Sequence, residues 1–409
     1  MLSQDYQAFM ERIYHYEVPT IRQVQHYVNE NDLSHRMQMV SRIGDPGLAF
    51  SLYFPIIAGI NFRSGIRFLG AAILCEWMNQ VLKWLLFGER PYWWIPEAEL
   101  FSSNPRSSLI LLEQNRMTCE TGPGLPSGHV MINLVIWLIM ADTISGKILS
   151  KLNETSPIRI FVNRLVWFGF ITMHLMVSGS RIYNLNHFPH QCISAFVCGI
   201  VVIKLAYHSQ GWMTTNSRLT CLIKSLLFTI SALGIYQGLL AQGVNPDWAI
   251  AKALKWCKHQ EWIHIDTTPF YAMVRYSGAA FALGCILPSQ KVQYELKQSE
   301  LYSLSDQGLR IALGILWGMV STLVHSMMPR KDLNLFYALE FVLNAFLIVF
   351  IAYLVPRISD IIFKRDHAVL EDKKRKSAKN KKLQTHHLKQ RTKIDNPIVD
   401  IHLRQRKNL

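Results

Sequence analysis

The sequence predicts an all-α protein, a polytopic membrane helix bundle with about nine transmembrane helices. Three observations predict it. Half of the 409 residues are hydrophobic and only 17% are charged, where a soluble protein usually carries about 25% charged residues. The apolar residues are bunched into runs near the roughly 20 residues that a helix needs to cross a bilayer. The net charge of +15 is concentrated at one end of the chain.

The runs fall at about 46–62, 66–88, 129–148, 160–179, 191–207, 219–241, 270–287, 308–327 and 334–356. The first, fifth and seventh are short or interrupted. The first apolar run begins near Gly47, behind about 45 polar and amphipathic residues, too far in for a cleavable secretory signal. The first span is therefore expected to act as its own insertion signal. Three regions follow: a lumenal N-terminal segment at 1–45, a nine-span membrane domain at 46–356 and a basic cytosolic tail at 357–409.

Charge sets the orientation. From Arg357 onward sixteen Lys and Arg stand against six Asp and Glu, a net of +10. Positive charge accumulates on the cytoplasmic side of membranes, which places the tail in the cytosol. Nine spans then put the N-terminus on the lumenal side. The loops at 63–67, 147–159 and 288–297 fall in the cytosol, and each carries basic residues. The lysine-rich run at 373–382 reads as a solvated tail near anionic membrane lipid. A role with nucleic acid does not suit a chain so committed to the membrane. The sequon Asn153-Glu154-Thr155 lies on a cytosolic loop and is expected to stay unmodified.

Seven cysteines add little. Cys75, Cys192, Cys198, Cys221 and Cys285 sit inside spans and read as small buried apolar residues. Cys119 and Cys257 fall in two long lumenal loops. Nothing in the sequence fixes their separation, so two free thiols are favoured over a disulfide. Trp248, Trp256 and Trp262, with Tyr92, Trp93 and Trp94 after the second span, read as anchors at the membrane interface.

The chemistry is carried by three short stretches. In the first, Lys83 and Arg90 are seven residues apart, about two helical turns, and should face the same way near the lumenal end of the second span. A cation at membrane depth is costly and suggests function; snorkelling to the interface is the plainer account, good for Arg90 and poorer for Lys83. In the second, Pro126-Ser127-Gly128-His129 begins the third span. A helix start offers free N–H groups to an anion; Gly128 lets backbone come close, and Ser127 adds a hydroxyl. A simply capped helix start explains this stretch equally well. In the third, Arg181 offers a fork of donors matched to phosphate oxygens, and His187 follows within reach of a short return loop. Tyr183 and His190 read as routine polar residues. The topology brings all three stretches to the lumenal face, as a shared phosphate site requires.

The order and spacing of these residues resemble the superfamily of type 2 phosphatidic acid phosphatases, bacterial acid phosphatases and vanadium haloperoxidases. Longer blocks are similar to glucose-6-phosphatase catalytic subunits: Lys83-Trp84-Leu85-Leu86-Phe87-Gly88-Glu89-Arg90-Pro91-Tyr92-Trp93-Trp94, Thr118-Cys119-Glu120-Thr121-Gly122-Pro123-Gly124, and Ser180-Arg181-Ile182-Tyr183 with His187-Phe188-Pro189-His190-Gln191. The nine-span layout and the tail Arg406-Lys407-Asn408-Leu409, close to an endoplasmic reticulum retrieval signal, fit the same family. Two departures stand out. Gln191 replaces the aspartate of the wider superfamily, as it does in glucose-6-phosphatases. Asn104-Pro105-Arg106 cannot be glycosylated where family members often carry a sequon.

The resemblance implies an acid-phosphatase-like helical core in the endoplasmic reticulum membrane, with a lumenal site. It implies hydrolysis of glucose 6-phosphate, serving gluconeogenesis, glycogenolysis and glucose homeostasis. His187 would be the nucleophile and His129 the general acid and base. Lys83, Arg90, Ser127, Gly128 and Arg181 would hold the phosphoryl group, and Gln191 would support His187. No metal or other cofactor is called for, and a separate transporter would bring the charged substrate. The rivals are a lipid phosphate phosphatase, a catalytically weak relative, and an anion transporter, which would give the two histidines no task.

Overall fold

The computed structural model describes residues 4–98, 112–150, 152–153, 156–208, 217–264, 267–298 and 302–363. The all-α expectation holds: among the described residues there is no strand, only one isolated bridge between Glu120 and His264. The chain divides into two compact units, Met1–Pro356 and Arg357–Leu409. Asn104, the lysine-rich run and the last four residues lie outside the described residues.

Among the described residues six helices are long and apolar enough to cross a membrane: Gly128–Leu149, Pro157–Tyr183, Pro189–His208, Arg218–Ala241, Leu304–Met327 and Leu333–Ile362. A seventh arises if Pro269–Ile286 and Gln290–Gln298, bent by 92°, form one span. These are the third to ninth of the expected runs. The first two differ. The first is a short apolar stretch, Ala49–Ile60, which ends where Asn61 turns out of the helix and caps the next one by accepting from the Ser64 amide at 3.0 Å. The second, Phe62–Leu86, carries Arg63, Arg67, Glu76 and Lys83 along its length. Among the described residues length and composition therefore support six or seven spans, and the expected nine are not confirmed.

Phe62–Leu86 is nevertheless the centre of the bundle, with Phe68, Leu69 and Trp84 fully buried against the neighbouring helices. Its Glu76 pairs with Arg275 at 2.7 Å. Glu340 meets the His325 Nδ1 at 2.5 Å and accepts from the Tyr271 hydroxyl at 3.2 Å. The intramembrane charges thus face the interior and find partners, as their cost in lipid demands. Three of the five other cysteines are buried; Cys198 is half-buried, and Cys285 is exposed.

A second, smaller core sits at one end. The helix Gln4–Glu30 buries Met10, Tyr14, Val18 and Ile21, a stripe at helical spacing. That stripe packs on Tyr92, Trp93, Trp94, Ile95, Leu125, Leu185 and Phe188. Trp93 is completely buried and meets Trp248 with ring centroids 6.0 Å apart, while the Trp256 indole donates to Glu97 at 2.6 Å. Tyr92, Trp93 and Trp94 are thus buried in a protein core rather than exposed as interface anchors, and Trp248 and Trp256 are half-buried against it.

Candidate active site

The first stretch straddles a helix end. Lys83 stands in the last turn of Phe62–Leu86, and Phe87 then takes a left-handed conformation (φ 49°) that ends the helix. Arg90 lies beyond it in extended backbone, as a residue before proline should. Lys83 and Arg90 are therefore not two turns apart on one helix; the turn between them folds Arg90 back. Gly88 permits that turn, because a Cβ there would fall 2.3 Å from the Leu125 Cβ.

The second stretch opens a helix. Ser127 is the N-cap of Gly128–Leu149, and its Oγ accepts from the Val130 amide at 3.5 Å. Gly128 and His129 line a cavity together with Lys83 and Glu120. The third stretch closes a helix. Arg181 is fully buried in the last turn of Pro157–Tyr183. The amides of Asn186 and His187 both donate to the Arg181 carbonyl, at 3.1 and 3.4 Å, so His187 folds back over Arg181.

All three stretches meet at the Glu120 carboxylate. Arg90 Nη1 lies 2.8 Å from Oε2, and Arg181 Nη2 pairs with Oε1. His129 Nδ1 is 3.7 Å from Oε1 and His187 Nε2 is 4.0 Å from Oε2. The remaining donors of Arg90 reach the carbonyls of Gly122 (2.6 Å), Asn186 (3.0 Å) and Pro123 (3.2 Å). Arg181 Nη1 donates to the Ser41 hydroxyl at 2.6 Å. Both guanidiniums are thereby held rigidly, with one face of each turned to the same point.

His187 is oriented by two acceptors. Its Nδ1 is 2.8 Å from the Gly124 carbonyl and 3.2 Å from Gln191 Oε1. The Gln191 amide is itself fixed, since its Nε2 donates to the Glu89 carbonyl at 2.6 Å and its Oε1 accepts from the Phe188 amide at 3.2 Å. Two oxygens at Nδ1 require the proton there. Nε2 then keeps its lone pair and faces Arg90 Nη1 at 3.4 Å.

The comparisons with known proteins identify the family. The PAP2 superfamily model matches residues 64–214, a stretch that contains all eight expected site residues. Over 325 residues the chain is 33% identical to glucose-6-phosphatase 2 of Homo sapiens, covering 78% of this chain and 89% of that one. It is 36% identical over 319 residues to glucose-6-phosphatase catalytic subunit 1 of Mus musculus, covering 78% and 87%. The chain belongs to the glucose-6-phosphatase family. No solved structure matches it.

Three acidic residues of this glucose-6-phosphatase relative escaped the sequence reading. Burial alone would raise the Glu120 pKa, but the Arg181 and Arg90 guanidiniums overcome that and hold the carboxyl well below its usual range. Burial, followed by Arg90 and Arg181, also holds His187 well below the usual histidine range. The neutral imidazole is thereby favoured at His187. Asp45 accepts from the Gly47 amide at 2.7 Å, and its Oδ2 lies 4.0 Å from His129 Nε2. Glu17 accepts from the His190 amide at 2.8 Å and meets its Nδ1 at 2.6 Å, which makes His190 a tether for the loop that carries His187. A signal existed for Glu120, a lone acid inside a Gly- and Thr-rich block between two motifs. Asp45 stands in Asp-Pro-Gly, which reads as a turn, and Glu17 has no local signal.

One expectation is reversed. Cys119 and Cys257 form a disulfide, with Cα atoms 5.7 Å apart. The loop at 119–120 is also held to the facing segment by the His264 amide, which donates to the Cys119 carbonyl at 3.1 Å. Two segments 138 residues apart in sequence meet there through tertiary folding, which local spacing does not encode.

Proposed function

We propose that this enzyme hydrolyses glucose 6-phosphate, or a close sugar phosphate, to free sugar and phosphate through a phosphohistidine on His187. One observation carries the reading: His187 presents an unprotonated Nε2 to a point flanked by two buried guanidiniums. A nucleophilic histidine needs that tautomer, and a phosphoryl group needs that charge.

The phosphoryl group exchanges for the Glu120 carboxylate between Arg90 and Arg181. Lys83, the Gly128 amide and the Ser127 hydroxyl proton complete the grip on its three equatorial oxygens. His187 Nε2 attacks phosphorus in line. The bond from phosphorus to the sugar oxygen breaks as His129 gives that oxygen a proton. Water then attacks phosphorus while His129 takes its proton. The N–P bond breaks, releasing phosphate and restoring His187. Gln191 keeps the tautomer without adding charge.

The site faces the lumen of the endoplasmic reticulum in this reading, the tail from 357 onward is cytosolic, and a separate transporter supplies the substrate. Ser41 and Asp45, from the segment before the first apolar run, reach the catalytic machinery. Asn153 is then cytosolic, and a glycosidase that removes N-linked glycans should leave its mobility unchanged; a shift lost in Asn153→Gln overturns the topology.

The test of function is phosphate release from glucose 6-phosphate by detergent-permeabilised microsomes, wild type beside His187→Ala. Release that depends on His187, and that favours glucose 6-phosphate over mannose 6-phosphate and phosphatidic acid, supports the proposal. Release only from phosphatidic acid makes the chain a lipid phosphatase. No release from any ester sinks the catalytic reading.

A further inference from the structure

Gln191 carries a liability that a carboxylate would not, because the two ends of its amide differ. With Oε1 toward His187, the imidazole keeps its proton on Nδ1 and its lone pair on Nε2. Turned over, the amide would donate to Nδ1, the proton would move to Nε2, and the nucleophilic lone pair would be lost. Two contacts oppose that reversal. The Phe188 amide donates to Oε1 at 3.2 Å, and Nε2 donates to the Glu89 carbonyl at 2.6 Å.

The turn at 87–89 stands behind the nucleophile twice. The Glu89 carbonyl aims Gln191, and the Gly88 carbonyl accepts from the Gly124 amide at 2.7 Å. Gln191 and Gly124 supply the two acceptors at His187 Nδ1. The approach is so close that a Cβ on Gly124 would fall 2.4 Å from the Glu89 oxygen. Yet the turn does not hold itself. Phe87 sits at φ 49°, a conformation that residues with side chains rarely adopt. Such strain persists only where the surroundings over-determine it.

Those surroundings come from far along the chain. The Tyr14 hydroxyl, on the helix Gln4–Glu30, accepts from the Glu89 amide at 3.1 Å. Lys252, on the helix Trp248–Trp256, donates to Glu89 Oε1 at 3.0 Å and to Glu97 Oε2 at 2.7 Å. It thus ties both ends of the segment 89–97 to one helix. The Trp93 indole donates to Glu89 Oε2. Every polar group of Glu89 is engaged: its amide and carboxylate are held by these clamps, and its carbonyl holds Gln191. Tyr14 and Lys252 both lie outside residues 64–214, where all eight expected site residues fall.

We propose that Tyr14 and Lys252 are positioning residues for the nucleophile: they hold the turn at 87–89, and the turn keeps Gln191 and Gly124 in the orientation that leaves the His187 proton on Nδ1. The inference rests on the function proposed above. It is tested with purified full-length enzyme by rapid quench into base after mixing with glucose 6-phosphate labelled at phosphorus, which reads the rate constant and the amplitude of phosphohistidine formation. Lys252→Met should lower the rate constant about ten-fold and Tyr14→Phe about three-fold, the range of single hydrogen bonds. The amplitude and the half-saturating substrate concentration should stay within about two-fold of wild type, because Arg90 and Arg181 are untouched. Lys252→Arg, which keeps the charge, should restore the rate to within about two-fold. Adding Lys252→Met to Gln191→Leu should cost less than about three-fold more, since the amide it aims is gone. A loss of amplitude at the wild-type rate would make the role one of stability alone and overturn the proposal. An unchanged rate constant in Lys252→Met, or losses that multiply in full with Gln191→Leu, would overturn it too. Wild-type enzyme that forms no phosphohistidine overturns the function beneath it instead.

Discussion

Replacing Glu120 with glutamine separates holding the cradle together from binding in it. The carboxylate is the counter-charge of two guanidiniums, Arg90 and Arg181, both fully buried. Removing one partner of a buried ion pair costs about 3–5 kcal/mol, because the other charge is left uncompensated. Glutamine keeps one acceptor oxygen, so the lower end, about 3 kcal/mol, is expected. A phosphate-like anion should return that loss. Vanadate at a hundred times its Kd stabilises a folded protein by about 2.7 kcal/mol. In wild type the anion must first displace the carboxylate; in Glu120→Gln it does not. The variant should therefore unfold several degrees below wild type in detergent, bind vanadate at least ten-fold more tightly, and recover most of the lost stability at saturation. The assay is thermal unfolding across a vanadate titration, with an inert salt at matched ionic strength. A variant as stable as wild type would refute the counter-charge argument. Equal vanadate affinity in both proteins would refute the exchange of carboxylate for phosphoryl group.

Gln191→Leu removes one of two acceptors that hold the His187 tautomer; kcat should fall about ten- to a hundred-fold with vanadate affinity nearly unchanged, as read by parallel kinetics and inhibition. Because the folded site holds the His187 pKa well below the ordinary histidine value of about 6.5, the unfolded chain takes up a proton there that the folded site refuses. Stability should fall as pH drops below about 6.5, by at most about 1.4 kcal/mol per pH unit from this one group. His187→Asn should remove that part of the slope in denaturation measured from pH 7.5 to 5; an unaltered slope contradicts the assignment. Cys257→Ser opens the bond that closes a long loop beside Glu120 and should lose about 2–5 kcal/mol of stability; unchanged mobility of wild type on gels with and without reductant would show that the bond does not form.

The all-α fold and seven of its apolar helices were legible because a membrane span is specified by length and composition alone. The count was less legible at the front of the chain. Asn61 interrupts one run, and four charges load the next, and hydropathy cannot say whether such a helix crosses lipid or is wrapped by its neighbours. The cationic and histidine residues were legible through spacing, yet the spacing misled for Lys83 and Arg90, since it assumed a helix that Phe87 ends. Glu120, Asp45 and Glu17 act across long sequence distances. Each is an ordinary acid locally, and only the folded chain reveals what it faces. The aromatic cluster at 92–94 failed for the same reason: a buried core and an interfacial belt share one composition.

The N-terminal helix has a consequence for how the molecule is made. Its Tyr14 accepts from the Glu89 amide, Gln25 donates to the Tyr183 carbonyl, and Glu17 holds His190, partners that follow 75, 158 and 173 residues later. At roughly 5–20 residues per second, this segment waits on the order of 10–30 seconds after synthesis for the last of them. Until then its apolar stripe lacks Leu185 and Phe188, and its cover from its own chain is incomplete. Insertion of the spans can proceed normally while the active site remains unassembled. A tag or lesion in the first thirty residues should therefore yield protein that is correctly threaded, present in normal amount, and catalytically silent.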